Sequence, residues 1–251
     1  VVSGVRIPCS KRDGHGMQTL QQAIGNSCNV AMMDIVENLG KDNLYNYLQE
    51  FGVGQKTDID LPAETDASNL IISYKNLNPV EMATAAIGQG FNVTPIQMLV
   101  GFDAVINGGN ILKPYVVSQV LDKDNNIIKE NKPTVQRKVI SQKTSDYLRE
   151  LLTYVVENGT GKKAKIEGYS IGGKTGTAQQ NRDPKNKIYS QSFIGYFPVD
   201  NPEYIAIGIL HKSDLEGGVS ASMIHDLFEN IIKYKSIPPD KGDNIKNTNI
   251  G

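Results

Sequence analysis

Apolar positions between Met17 and Leu39 recur at helical spacing, with Met17, Leu20, Ile24, Ala31, Met32, Ile35 and Val36 on one stripe. Gly25-Asn26 breaks the stripe, which predicts a short helix, a tight turn holding Ser27-Cys28-Asn29, and a second helix ended by Gly40. From about Lys41 a third helix carries Leu44, Tyr47, Leu48 and Phe51 on one face and stops at Gly52. Two more announce their starts: Asn78-Pro79-Val80-Glu81 and Thr94-Pro95-Ile96-Gln97 each offer a capping side chain, a proline in the first helical position, and an acid or amide three residues after the cap. Gly88 to Gly90 and Gly108-Gly109 end them.

The period then shortens. Tyr115 to Leu121 and Ile127 to Lys129 flank Asp122 to Asn126, a hairpin signal. An amphipathic helix follows over Ser141 to Asn158, with Tyr147, Leu148, Leu151, Leu152 and Val155 facing inward and Tyr154 and Phe228 also read as core. Tyr169 to Gln179, Gln191 to Val199 and Glu203 to Leu210 read as strands, the last two joined by Asp200-Asn201-Pro202. A helix returns over about Ser220 to Tyr234. Helices followed by antiparallel strands and a closing helix specify an α+β layer structure rather than a repeating βαβ sheet. Residues 1–236 read as one domain. Beyond Ile237-Pro238-Pro239 the chain turns to Asn, Lys, Asp and Gly, and 237–251 reads as a polar tail or linker.

Composition narrows the function classes. Of 251 residues, 39% are hydrophobic and 21% charged, the range of a folded globular protein. The net charge is -1 with no run of like charge that could track a polyanion, so nucleic acid is not expected as a partner. The longest apolar stretches, Tyr204 to Leu210 and Met98 to Ile106, are too short to cross a bilayer. The chain opens Val1-Val2-Ser3 with neither an initiator Met nor a signal peptide, which reads as a processed or excised product with an N-terminal region missing.

The most chemically loaded string is Gly172-Gly173-Lys174-Thr175-Gly176-Thr177-Ala178, on an expected strand. Lys174, Thr175 and Thr177 supply an ammonium and two hydroxyls suited to a carboxylate at a strand face or edge, and Gly176 leaves room for a ligand backbone. Gly168 to Thr175 also satisfies the G-x-x-x-x-G-K-[ST] phosphate-loop pattern. That pattern needs a helix directly after Lys-Thr, and Gly176 to Pro184 does not read as one. A second string, Ser27-Cys28-Asn29, has the form S-x-N. Alone it is most simply a helix cap.

Together, S-x-N followed by K-T-G is the pair used by serine acyltransferases that handle β-lactams. The chain resembles the class B penicillin-binding proteins. Asn26-Ser27-Cys28-Asn29, Gly88-Gln89-Gly90 with Thr94-Pro95-Ile96-Gln97, Asn107-Gly108-Gly109, Gly159-Thr160-Gly161 and Gly173 to Ala178 occur in that family's order, over about Gly14 to Pro239. The resemblance implies the penicillin-binding transpeptidase fold, an antiparallel sheet flanked by helices, here incomplete at its N-terminal side. It implies a D,D-transpeptidase that cross-links D-Ala-D-Ala stem peptides of peptidoglycan and binds β-lactam antibiotics. Ser27 would relay a proton, Asn29 would hold the substrate amide, and Lys174, Thr175 and Thr177 would bind the terminal carboxylate, with the Thr177 backbone amide half of the oxyanion hole.

The family's nucleophile motif, S-x-x-K, is absent: no Ser in the chain has Lys three positions on. The resemblance therefore implies a fragment that is inactive alone, exposes apolar surface, and derives from a protein anchored on the extracytoplasmic face of a bacterial membrane among membrane-bound cell-wall synthesis partners. Rival readings are a β-lactamase or β-lactam sensor, a non-catalytic interaction module and a phosphate-loop nucleotide binder. Cys9 and Cys28 read either as two small buried residues or, by likeness to the sporulation-specific members of class B, as a redox pair. A disulfide there would contribute roughly 3 kcal/mol on the loop-entropy model and would lock the Ser27 turn. His15 is read as a loop residue, the alternative being zinc ligation together with Cys9, Cys28 and a further ligand, and neither a metal nor another cofactor is expected.

Overall fold

The computed structural model describes residues 1–179, 188–213 and 217–241. The chain forms two compact units, Val1–Glu150 and Leu151–Gly251. The first is mainly helical and the second is a sheet backed by a helix, giving the α+β antiparallel architecture read from the sequence.

In the first unit, α1 (Leu20–Gly25) and α2 (Asn29–Leu39) are followed by α3 (Lys41–Glu50), and α2 packs against α3 and α4 (Pro79–Ala86). The helical stripe is looser than expected. Met33 and Val36 are the buried residues of α2, while Ile35, Leu20 and Met17 are exposed, Met17 fully. Both helix starts read from the sequence are present. Asn78 accepts from Val80 N and Glu81 N to begin α4, and Thr94 with Gln97 closes a reciprocal capping box on α5 (Pro95–Ile106). The Gln97 amide is buried and also donates to the Gln55 carbonyl, tying the α5 start to the loop after α3. That loop is closed by Glu64, whose carboxylate accepts from Thr57 N (2.6 Å), Thr57 Oγ1 (2.7 Å) and Asp58 N (3.0 Å).

Two small antiparallel pairs complete this unit: β1 (Asn110–Leu112) with β4 (Val135–Lys138), and β2 (Gln119–Leu121) with β3 (Ile127–Glu130). The second is the expected hairpin, and its Val116, Val120, Leu121, Ile127 and Ile128 are exposed. Asn107-Gly108-Gly109 makes the turn into β1 around a buried hydroxyl. Ser145 Oγ accepts from Gly108 N (3.0 Å) and donates to Val105 O (2.6 Å). A Cβ on Gly109 would lie 2.0 Å from Ile140 O, so only glycine fits there. Ser145 belongs to α6 (Gln142–Glu157), in which Leu151, Leu152 and Val155 are buried as expected but Tyr147 is exposed.

The second unit is a three-stranded sheet in the order β5 (Gly172–Gln179), β6 (Tyr189–Phe197), β7 (Tyr204–Ser213), with α7 (Val219–Lys235) packed on β6 and β7. Ala221, Ile224, Phe228 and Ile232 of α7 recur every three or four residues and all are buried. They meet Phe193 and Phe197 of β6 in one cluster, where Phe197 and Phe228 lie 4.7 Å apart between ring centroids. At about 1.5–3 kcal/mol for each fully buried large apolar side chain, this cluster is the unit's main source of stability. The expected first strand begins late: Tyr169 sits in a turn, donating its hydroxyl to Ile237 O (2.8 Å), and Ser170 N donates to Asp240 Oδ1 (2.7 Å). Residues 237–241, assigned to the tail in the sequence, therefore dock on this turn, while 242–251 lie outside the described residues.

Candidate active site

The S-x-N residues lie at the junction of α1 and α2. Ser27 N donates to Ile24 O (3.1 Å) and Cys28 N to Ala23 O (2.9 Å), the paired bonds of a Schellman ending for α1. That ending places Ser27 at φ 50°, in the left-handed region where glycine is the usual residue. Ser27 is thus held in a conformation that costs about 1 kcal/mol, and such strain gathers at functional positions. Cys28 is buried and stands at the N-cap position of α2 without a side-chain capping bond, and Asn29 opens the helix. The Asn29 amide donates to Pro8 O (3.0 Å).

Pro8 brings Cys9 to the same place. Partial burial pushes the Cys9 thiol up, but hydrogen bonds from the Asn29 and Lys11 backbones and the Ser10 and Cys28 side chains outweigh it and hold the thiol below its ordinary range. Both cysteines are free thiols. A turn closed by Gly14 N donating to Lys11 O (3.0 Å) then returns His15, whose Nδ1 lies 3.5 Å from Cys9 Sγ. His15 is therefore not an isolated loop residue. The donor atoms of Cys9, His15 and Cys28 all lie within 4.8 Å of one another, which brings together the three residues that the zinc alternative named from the sequence.

The K-T-G residues lie on β5, an edge strand in the described sheet. Lys174, Thr175, Gly176 and Thr177 pair in unbroken register with Ile194, Phe193, Ser192 and Gln191 of β6. The preceding glycines are dictated by β6: a Cβ on Gly172 would lie 2.4 Å from the Tyr196 ring, and one on Gly173 would lie 2.5 Å from the Phe193 ring. The space beside Gly176 is taken by Ser192 Oγ, 2.5 Å from where a Cβ would stand, so this glycine serves the strand pair on that side. Alternation along the strand does not separate Lys174 from Thr175, because the Lys174 ammonium turns back to donate to Thr175 O (3.0 Å) and lies 3.4 Å from Thr175 Oγ1. Burial lowers the Lys174 pKa to about 8.

Thr160, in the Gly159-Thr160-Gly161 string, joins this group with its Oγ1 2.8 Å from Thr175 Oγ1. The sequence offered the string but not its destination. β5 continues to Gln179 with no helix after Lys174-Thr175, which overturns the phosphate-loop reading. The remaining histidines have ordinary partners: His211 Nδ1 is 2.9 Å from Ser190 Oγ and His225 Nδ1 is 2.8 Å from Lys165 O. Ser27, Asn29, Cys9 and Cys28 thus gather in the first unit, and Lys174, Thr175, Gly176 and Thr177 in the second. Among the described residues no helix is long and apolar enough to cross a membrane.

Residues 4–232 match the penicillin binding protein transpeptidase domain. Stage V sporulation protein D of Bacillus subtilis is 38% identical over 247 residues, covering 96% of this chain and 38% of its own length. Penicillin-binding protein PbpB of Mycolicibacterium smegmatis is 30% identical, covering 91% of this chain and 38% of its own length. Among solved structures, penicillin binding protein 3 from Mycobacterium tuberculosis aligns in its apo form with a TM-score of 0.84 at 28% identity, over 96% of this chain and 57% of that one. The same protein complexed with aztreonam aligns at 0.79, with 28% identity, over 89% of this chain and 53% of that one. The chain spans about two fifths of the length of these curated relatives and a little over half of the solved chains. With its motifs in order and its fold matched, the chain belongs to the penicillin-binding-protein transpeptidase family.

Proposed function

We propose that this chain supplies the carboxylate-binding strand and the proton-relay turn of a peptidoglycan D,D-transpeptidase. One observation carries the reading: Lys174 is buried enough to sit near pH 8 and lies against Thr175 on an edge strand, where an added carboxylate would stabilise its charged form. Thr175 and Thr177 would complete the carboxylate site, and the Thr177 backbone amide would donate to the oxyanion. Ser27 would pass a proton between the nucleophile and the leaving amine. Asn29 would exchange the Pro8 carbonyl for the amide of a stem peptide.

The nucleophilic Ser and its Lys are not among these residues, so acylation belongs to a longer polypeptide in which S-x-x-K accompanies this segment. That polypeptide acts outside the cytoplasmic membrane, anchored among membrane-bound cell-wall synthesis proteins and serving sporulation, as the relationship to the Bacillus subtilis protein suggests. Cys9 and Cys28 would form a disulfide under oxidising conditions and fix the Ser27 turn. Two free thiols after oxidation, seen by mass spectrometry of alkylated, unreduced protein, would refute that pairing.

Labelling with a fluorescent penicillin tests the main reading. The chain alone is expected to take no covalent label, and a polypeptide extended N-terminally through S-x-x-K is expected to label, with Lys174→Ala abolishing it. Covalent label on the chain alone, or labelling of the extended protein indifferent to Lys174, refutes it. A label lost by hydrolysis within minutes would favour a β-lactamase.

A further inference from the structure

Three soft or borderline donors converge beside the S-x-N turn: Cys9 Sγ, a ring nitrogen of His15 and Cys28 Sγ, all within 4.8 Å of one another. A tetrahedral zinc site with Zn–S bonds near 2.3 Å and Zn–N bonds near 2.1 Å separates its donors by about 3.5–3.8 Å. Cys9 Sγ and His15 Nδ1 already stand 3.5 Å apart, and the remaining separations need to contract by at most about 1 Å. We propose that reduced Cys9, His15 and Cys28 form a binding site for a thiophilic divalent cation, Zn²⁺ being the ion that best fits two thiolates and an imidazole.

The local fold prepares the site. Cys28 is buried and fixed as the residue before α2. The segment that carries Cys9 is held to the start of α2 by the Asn29 side-chain amide, which donates to Pro8 O. His15 stands between Gly14 (φ 76°) and Gly16 (φ 67°), whose left-handed conformations let the loop reverse and present the ring to Cys9. On binding, the two thiols ionise and release their protons to solvent, and three protein ligands leave the fourth position of a tetrahedral ion for water or another group. Because Cys28 lies between Ser27 and Asn29, the ion ties residues 9–15 to the proton-relay turn. Metal binding and disulfide formation consume the same thiols and exclude one another.

Titration of the fully reduced chain with Co²⁺ under argon reads the site directly, since tetrahedral thiolate ligation gives intense d–d bands and a thiolate-to-cobalt charge-transfer band. One equivalent is expected to bind, to be displaced by Zn²⁺, and to raise the melting temperature. Cys9→Ser and His15→Ala are each expected to weaken binding on the order of 100-fold. Both residues are partly exposed, so far-ultraviolet circular dichroism should show these variants folded even if Cys28→Ser is not. Absence of a tetrahedral cobalt spectrum in reduced wild type, or wild-type affinity in His15→Ala, overturns the proposal. Neither result bears on penicillin labelling, so the transpeptidase reading stands or falls separately.

Discussion

The Ser27 turn and the Lys174 strand are prepared for chemistry in opposite ways. At Ser27 the backbone is strained: a Schellman ending puts a serine at φ 50°, and the bonds that enforce it are local. At Lys174 the backbone is ordinary strand, and the cost lies in desolvating an ammonium on a sheet held by long-range packing of Phe193, Phe197 and Phe228. A strained turn depends on its helix junction, whereas a desolvated lysine depends on the whole second unit. Damage to distant packing should therefore reach Lys174 through its sheet, and changes at Ser27 should remain local.

The largest expected effect is on the strand side. Phe193 is fully buried, pairs with Thr175 in register and packs against Gly173 and Gly161. Phe193→Ala should destabilise the second unit by about 3–5 kcal/mol in urea denaturation. It should also release Thr160 from Thr175, visible as changed amide shifts in both.

Next in size is a pH effect with a defined sign. The lysine pKa falls from 10.5 unfolded to about 8 folded, so between those values the unfolded chain binds more protons and stability rises with pH. The gain is up to roughly 3 kcal/mol, complete above the unfolded value and absent below the folded one. Denaturation of wild type against Lys174→Met over that window should show the rise in the first and not in the second. Parallel curves would mean that burial is not what perturbs Lys174.

The smallest effect should have the opposite sign from an ordinary active-site substitution. Ser27→Gly relieves the left-handed strain and should stabilise the chain by about 0.5–1 kcal/mol, measured by thermal denaturation. In an S-x-x-K-containing protein the same change should slow acylation. Loss of stability would show that the Ser27 hydroxyl holds the turn more strongly than strain opposes it.

What could be read from the sequence follows the same division between local and distant causes. The starts of α4 and α5 were legible because Asn78-Pro79 and Thr94-Pro95 cap within a single turn of chain. The break between α1 and α2 was legible from Gly25-Asn26, although the left-handed residue proved to be Ser27. β1 and β4 were missed because each is short and their register, Asn110 to Lys138, spans a hairpin. Tyr169 looked like strand from its neighbours, but contacts from Ile237 and Asp240 make its segment a turn. Thr160 at Thr175 escaped for the same reason, and His15 was named beside the cysteines only as the less favoured reading, because nothing local places it at Cys9. Each belongs to its group only after the chain has folded back on itself.

The most direct measurement of the central claim is an NMR titration of the Lys174 side chain, assigned with Lys174→Met, in the presence and absence of a non-covalently bound penicillin or D-Ala-D-Ala peptide. A carboxylate site on β5 requires a pKa near 8 in the free chain that climbs when the ligand binds, with Thr175 and Thr177 resonances moving together. An ordinary lysine titration in the free chain, or a saturating ligand that leaves Lys174, Thr175 and Thr177 unmoved, would contradict it.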